Sequence, residues 1–155
     1  MQSKLFKLPI YGSIMMEHMW NMISALLDNN IEFRILCHKE SVSFEPELSS
    51  RITDTMGDMV LFDISNYSFE SAMLTEEEFQ FGAGFGSENI GTTVIVPILA
   101  IAQIFVGEIP IALNFTPQDE EEIEKVDIVE KKSDSSMEAL LSNPNNQHLL
   151  KKRKR

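Results

Sequence analysis

The stretch that decides the fold is a strand-like segment, FQFGAGFG, at residues 79–86. Phenylalanine or alanine occupies its odd-numbered positions, whereas Gln80 and three glycines occupy the positions between them. Because successive side chains of a strand point to opposite faces, one face is aromatic and the other is almost bare backbone. A bare face loses packing and conformational stability, so it needs a reason. Two reasons stay open: close packing of another segment on the glycines, and a groove that admits an extended peptide.

The segments before this strand predict a helix followed by strands. Residues 13–28 carry apolar side chains at helical spacing, including Met15, Met19 and Met22, which indicates an amphipathic helix. Alternation over 33–38 and the short run before Pro46 predict two strands, with a loop over 49–58. The continuous apolar run MVLFDI at 59–64 predicts a central strand that is buried on both faces.

The segments after it predict further strands and one short helix. The runs TTVIVP and IPIALNF, which end at Pro97 and Phe115, are typical of strands. Between them, ILAIAQIF follows Pro97 and precedes Gly107, which indicates a short helix. The connections 65–78 and 86–91 are rich in turn residues.

The composition indicates one soluble domain of ordinary size. The chain has 155 residues and an apolar share of 43%, enough for a buried core. No apolar run reaches the roughly 20 residues of a membrane span, and the first residues make a poor signal peptide. Cys37 is the only cysteine, so no intrachain disulfide can form. We therefore expect a cytoplasmic protein with no membrane partner.

The formal net charge of −11 is distributed unevenly. Residues 1–118 carry a net −10, residues 119–130 a net −6, and residues 131–155 a net +5. An acidic body repels a phosphate backbone, which argues against nucleic-acid binding by the domain. The basic end alone leaves association with the ribosome or an acidic partner open. The charged segment after Pro117 has almost no aromatic residue and predicts a flexible tail.

No pattern in the sequence predicts a catalytic or metal site. Cys37 and His38 are neighbours on a predicted strand, so their side chains point apart and cannot form a nucleophile and base pair. The chain has three histidines and one cysteine, and apart from the neighbours Cys37 and His38 they lie far apart in sequence, so they do not make a zinc site. The glycine-rich segment fails the dinucleotide pattern because position 87 is Ser87. We expect a protein that is not an enzyme and that needs no cofactor and no metal.

The ordered series of segments resembles a known family. The glycine strand, the Val96–Pro97 dipeptide, the run IALNFTP, and the upstream SVSFEPELSS, MVLFDI and LTEEEFQF are similar to the SspB (stringent starvation protein B) family. The similarity covers about residues 8–117 and is greatest to the alphaproteobacterial branch. No single motif is diagnostic, and the match depends on the order of the segments.

The resemblance implies a fold and a function. The family is α+β and mostly β, with an N-terminal helix on a small, bent antiparallel β-structure that is similar to Sm-like barrels. Its members are bacterial homodimers that act in protein quality control. They bind the ssrA tag in a groove and tether tagged substrates to the N-terminal domain of ClpX, the unfoldase of the ClpXP protease. Such adaptors catalyse nothing themselves; they raise the local concentration of substrate.

The resemblance also assigns roles to residues of this chain. It implies a peptide-binding domain over 1–117, a flexible acidic and polar linker over 118–148 and an apolar-basic docking motif over 149–155. The peptide-binding residues are Ser65, Tyr67, Phe81, Ala83, Gly84 and Phe85. Met15, Met19 and Met22 lie on the dimer helix, and Leu149, Leu150, Lys151, Lys152 and Arg153 take the place of the ClpX-docking motif.

Two features depart from the family pattern. Position 84 is Gly84, where relatives carry serine or a basic residue that could pair with acids of a tag. The ending HLLKKRKR keeps the order of apolar then basic residues but carries more charge than is usual. An alternative therefore stays open: an Sm-like homo-oligomeric scaffold whose basic tail contacts the ribosome or RNA.

Overall fold

The computed structural model describes residues 3–118, which form an α+β fold that is mostly strand. The helices are α1 (Ser3–Phe6), α2 (Pro9–Asp28), α3 (Ser50–Thr53) and α4 (Tyr67–Glu70), and short 3₁₀ turns span Lys39–Ser41 and Ile98–Ala100. The strands are β1 (Phe33–His38), β2 (Ser43–Glu45), β3 (Met59–Ile64), β4 (Met73–Leu74), β5 (Glu78–Phe85), β6 (Ile90–Pro97), β7 (Ile101–Val106) and β8 (Ile109–Leu113). The expected fold class, with its N-terminal helix and antiparallel strands, is confirmed. The linker from residue 119 onward and the docking motif lie outside the described residues.

The strands form two four-stranded antiparallel sheets. The first has the order β3-β1-β7-β8 and the second the order β2-β6-β5-β4. The chain passes from β6 to β7, and so between the sheets, through the 3₁₀ turn at Ile98–Ala100. Strands β3 and β8 are the edges of the first sheet, and among the strands of residues 3–118 β3 pairs only with β1.

The long helix α2 begins at Pro9, which occupies the first turn, where a missing N–H costs nothing. It therefore starts one turn before the predicted residue 13 and ends at Asp28, as predicted. Its buried residues are Tyr11, Met19, Ile23 and Leu26. The Trp20 indole donates a hydrogen bond of 2.7 Å to the Thr75 carbonyl, and the Phe115 amide donates one of 2.8 Å to the Tyr11 hydroxyl. These bonds join the helix to the connection between β4 and β5 and to the segment after β8.

Several local predictions are wrong. The segment after Pro97 is not a helix: after one 3₁₀ turn it becomes β7, which pairs with both β1 and β8. The loop over 49–58 contains α3, and the connection over 65–78 contains α4 and β4. Strand β3 is an edge strand with Met59, Leu61 and Asp63 exposed, and is not buried on both faces.

The core lies between the two sheets and under α2. Fully buried members come from both sheets, among them Phe33, Ile35, Phe79 and Val94. The rings of Phe33 and Phe79 lie 5.8 Å apart, which joins a strand of the first sheet to one of the second. No helix in the part of the chain described, residues 3–118, is long and apolar enough to cross a membrane.

Candidate functional site

A groove of about 530 Å³ lies between the free edge of β3 and the second half of β5. Its walls come from residues 61–63 of β3, residues 65–68 at the start of α4, and residues 81–85 of β5, and Asn89 closes one side. The two strands belong to different sheets. The groove is therefore a property of the tertiary fold and not of one hairpin.

The structure brings the predicted peptide-binding residues to this one groove. Each of the residues named from the family resemblance belongs to its lining: Ser65, Tyr67, Phe81, Ala83, Gly84 and Phe85. They come from two segments that lie 14 to 20 positions apart in the chain, so their convergence does not follow from sequence proximity. Their role in binding stays a prediction.

The edge of β5 that faces the groove has backbone groups with no strand partner among residues 3–118. Strand β4 pairs with β5 only at Phe79 and Gln80. The Gly82 amide donates a hydrogen bond of 2.8 Å to the Ser71 hydroxyl, so it points away from β6. Because backbone direction alternates along a strand, the peptide groups of Gly84 point to the same side. A short unpaired edge therefore borders the groove.

Two side chains cover the glycine face of β5. A Cβ placed on Gly82 would meet Cε2 of Tyr67 at 2.6 Å, and a Cβ placed on Gly84 would meet the Asn89 side-chain amide. Tyr67 is 68% exposed, and Asn89 is exposed in the turn between β5 and β6. Close packing thus explains Gly82, which lies under α4. At Gly84 the cover is only the exposed end of one side chain, so this part of the face is open to a ligand that displaces it.

The floor of the groove is aromatic. The rings of Phe62 and Phe81 lie 5.3 Å apart, edge to face, and those of Phe62 and Phe85 lie 6.4 Å apart. Phe62 and Phe81 are buried, whereas Phe85 is half-buried. The floor is therefore rigid in the middle, and Phe85 at the end of β5 retains apolar surface for a ligand side chain.

The turn that carries Tyr67 is held by hydrogen bonds. Asn66 has a φ of 51°, in the left-handed region that asparagine tolerates, and its backbone N–H donates a hydrogen bond of 2.8 Å to the Glu32 carboxylate. The Ser65 amide donates to the Ser68 hydroxyl at 2.9 Å. These bonds fix the start of α4, and with it the backbone of Tyr67 beside the groove.

Within the described part of the chain, residues 3–118, the groove lining carries one charged residue, the exposed Asp63, and no basic side chain. A cation at position 84 is also lacking, since that residue is glycine. The groove itself therefore offers no partner to an acidic side chain of a ligand, and its contacts are apolar or made through neutral polar groups.

The predicted dimer residues on α2 do not share one environment. Met19 is fully buried in the core of the single chain, because its position on α2 faces the sheets. It is therefore a core residue, and its assignment to a subunit interface is wrong. Met15 and Met22 are half-buried, and the most exposed apolar side chains of α2 are Ile10 and Ile14.

The residues that the sequence excluded as catalytic lie away from the groove. Burial raises the pKa of the Cys37 thiol far above its ordinary value, so the reactive thiolate is strongly disfavoured. Burial lowers the pKa of His38, which lines a separate hollow of about 300 Å³ near Phe115. Within residues 3–118 there is no group of three or more metal-ligating side chains.

Sequence reasoning missed several lining residues. Asn89 was placed in an unspecified loop, and Leu61 and Asp63 were assigned to a strand buried on both faces. A signal for Asn89 existed: asparagine just before a strand is typical of a left-handed turn, and its φ is 52°. The family resemblance placed Ser65 and Tyr67, just after β3, on the wall opposite β5, but no spacing in the sequence itself brings together two strands of different sheets.

A scan against protein-family models and a search of curated proteins both found no match to this sequence. The family therefore enters only through the resemblance of the ordered segments.

Proposed function

We propose that this chain is a non-enzymatic adaptor that binds ssrA-type degradation tags and tethers tagged substrates to ClpX. The observation that carries the proposal is the groove between β3 and β5, where all the peptide-binding residues expected from the family meet. Support comes also from the glycine face, whose cover at Gly84 is a displaceable side chain.

Binding would follow the physics of strand addition. An extended peptide that enters the groove lies along the unpaired edge of β5, where the Gly84 peptide groups offer a donor and an acceptor. Alternate ligand side chains then point to the aromatic floor at Phe85 and to solvent. Asn89 moves aside from Gly84, and its exposed position makes that movement cheap.

Adaptor activity then needs only tethering. A tail that carries the docking motif at 149–155 would raise the concentration of a bound substrate at the unfoldase without any chemical step. The sequence places 30 residues between Gln118 and Leu149.

Peptide binding is tested by fluorescence anisotropy with a labelled ssrA-type peptide and the full chain. We expect saturable binding at micromolar concentrations, and no binding of a scrambled peptide of the same composition. If the tag peptide does not bind at high micromolar concentrations, peptide recognition is wrong.

The tether is tested by deleting residues 149–155. We expect this variant to bind the tag peptide as the full chain does, but to lose its stimulation of tagged-substrate degradation by ClpXP. Degradation that is still stimulated by the truncated chain would show that the docking motif is misassigned.

Subunit association is a separate part of the proposal. We propose that the exposed apolar face of α2, at Ile10 and Ile14 beside Met15, joins two copies. Size-exclusion chromatography with light scattering should give twice the chain mass of 17.6 kDa, and Ile14→Glu should give the single mass. An unchanged mass for Ile14→Glu would remove this face from the interface.

A further inference from the structure

A second groove, of about 440 Å³, begins where the first one ends. Its walls are the segment around α3, including Arg51, Ile52 and Met56, and the turn after β5, including Glu88. Phe85 lines both grooves, one on each side of its position at the end of β5. A ligand strand that follows β5 past Phe85 would therefore enter the second groove directly.

Among residues 3–118, Arg51 is the only basic side chain that lines either groove. This is notable in a body whose residues 1–118 carry just 5 Lys/Arg against 15 Asp/Glu. Arg51 is exposed, and its side chain has no hydrogen bond or ion pair within residues 3–118, although Glu88 lines the same groove. Its guanidinium is therefore available to an incoming anion.

We infer that the second groove is a subsite for the flanking part of the same peptide, in which Arg51 pairs with a ligand carboxylate. The inference rests on the proposed function and refines its substrate class: a tag with an apolar stretch in the first groove and an acidic residue just outside it. Gly84 leaves the first groove without a cation, and Arg51 supplies one at the adjoining groove. Guanidinium suits carboxylate recognition because it can donate two parallel hydrogen bonds.

The geometry limits where that acidic residue lies. Because the second groove lies past the C-terminal end of β5, the acidic residue must lie on one flank of the part of the ligand that binds at Gly84. The acidic residue falls on the N-terminal side of the bound stretch if the ligand runs antiparallel to β5, and on the C-terminal side if it runs parallel. The preferred side therefore reports ligand direction.

The experiment uses the full chain and labelled ssrA-type peptides with a flexible neutral flank at one end or the other. Each peptide carries a single Glu or the neutral isostere Gln at one position of the flank. At low ionic strength we expect one flank position at which Glu binds about two- to fivefold more tightly than Gln, which is the range of an exposed ion pair. Arg51→Gln should remove this preference and leave the Gln peptide's affinity unchanged, and Arg51→Glu should reverse it.

The matched control is Arg34→Gln. Arg34 is an exposed arginine on β1 that lines neither groove. Its replacement by glutamine changes the net charge of the chain by the same amount as Arg51→Gln does. We expect it to keep the Glu preference, and high salt to weaken that preference in the unmodified chain.

The outcomes separate the inference from the proposed function. Two results would show that the subsite is wrong while peptide binding in the first groove is retained. In the first, the tag peptide binds but Arg51→Gln changes the preference for Glu over Gln at no flank position. In the second, Arg34→Gln removes that preference as fully as Arg51→Gln does. If no peptide of the series binds to the unmodified chain, both are overturned.

Discussion

The two faces of β5 differ in what covers them. On one face, Phe79 and Phe81 are buried in the core between the sheets, with exposed fractions of 0% and 2%. On the other face, Gly82 and Gly84 carry no side chain, and the nearest atoms above them belong to Tyr67 and Asn89. Residues that alternate along one strand thus lie in opposite environments, because successive side chains point to opposite faces.

The largest expected effect comes from the aromatic face. Phe79→Ala should lower the free energy of unfolding by about 3–5 kcal/mol, because it removes a buried ring and leaves a cavity. Phe79 does not line the groove, so the folded fraction should bind the tag peptide as before. Chemical denaturation and anisotropy together measure this, and a loss below about 1 kcal/mol would break the division between the faces.

A smaller effect is expected at the covered glycine. Gly82→Ala places a Cβ against the Tyr67 ring and should cost about 1 kcal/mol of stability, since the exposed ring can shift. In a Tyr67→Ala background the same change should cost less, because the closest atom to the new Cβ is removed and Ser71 Oγ, at 3.2 Å, is the next contact.

This pair forms a double-mutant cycle that denaturation can measure. If Gly82→Ala lowers the free energy of unfolding equally in both backgrounds, the Tyr67 ring is not the reason that position 82 requires glycine.

The smallest effect distinguishes Gly84 from Gly91, its direct partner on β6. Both lie on the same face, but a Cβ on Gly91 meets nothing within 4 Å, whereas one on Gly84 meets the Asn89 side chain. Gly91→Ala should stabilise the chain by about 0.5–1 kcal/mol, because alanine loses less backbone entropy on folding.

Gly84→Ala should gain less than Gly91→Ala, and should match it once Asn89→Ala removes the obstruction. The comparison is read from denaturation midpoints. If Gly84→Ala and Gly91→Ala raise the stability equally while Asn89 is present, the Asn89 side chain does not oppose a side chain at position 84.

The fold class and most strands could be predicted because their signals are local. Alternation at Phe33, Ile35 and Cys37 placed β1, and all three side chains are buried. The helix over residues 13–28 was predicted from apolar spacing, with only its first turn missed.

The errors have a tertiary cause. The run at 98–105 has an apolar pattern that suits either a short helix or a buried strand, and pairing with β1 and β8 decides for the strand. The apolar run MVLFDI predicts a strand that is buried on both faces, but Leu61, an apolar residue of that run, lines the groove and not the core. Pattern alone cannot distinguish an apolar core face from an apolar binding face.

The site was only partly predictable for the same reason. The family resemblance supplied Phe81, Ala83, Gly84 and Phe85 on the strand, and Ser65 and Tyr67 on the opposite wall. The covers of the glycine face and the adjoining groove with Arg51 depend on how α3, α4 and the turn at Asn89 fold against β5, which no sequence spacing expresses.

The most direct test of the central claim, that the glycine face at Gly84 is a peptide groove, is a titration of the labelled ssrA-type peptide with three proteins: the unmodified chain, Gly84→Trp and Gly91→Trp. Both substitutions add the same side chain to the same face, but only Gly84 lines the groove. We predict that Gly91→Trp binds as the unmodified chain does, and that Gly84→Trp binds at least about tenfold more weakly, a loss of about 1.4 kcal/mol. Equal affinities of the two variants would contradict the account.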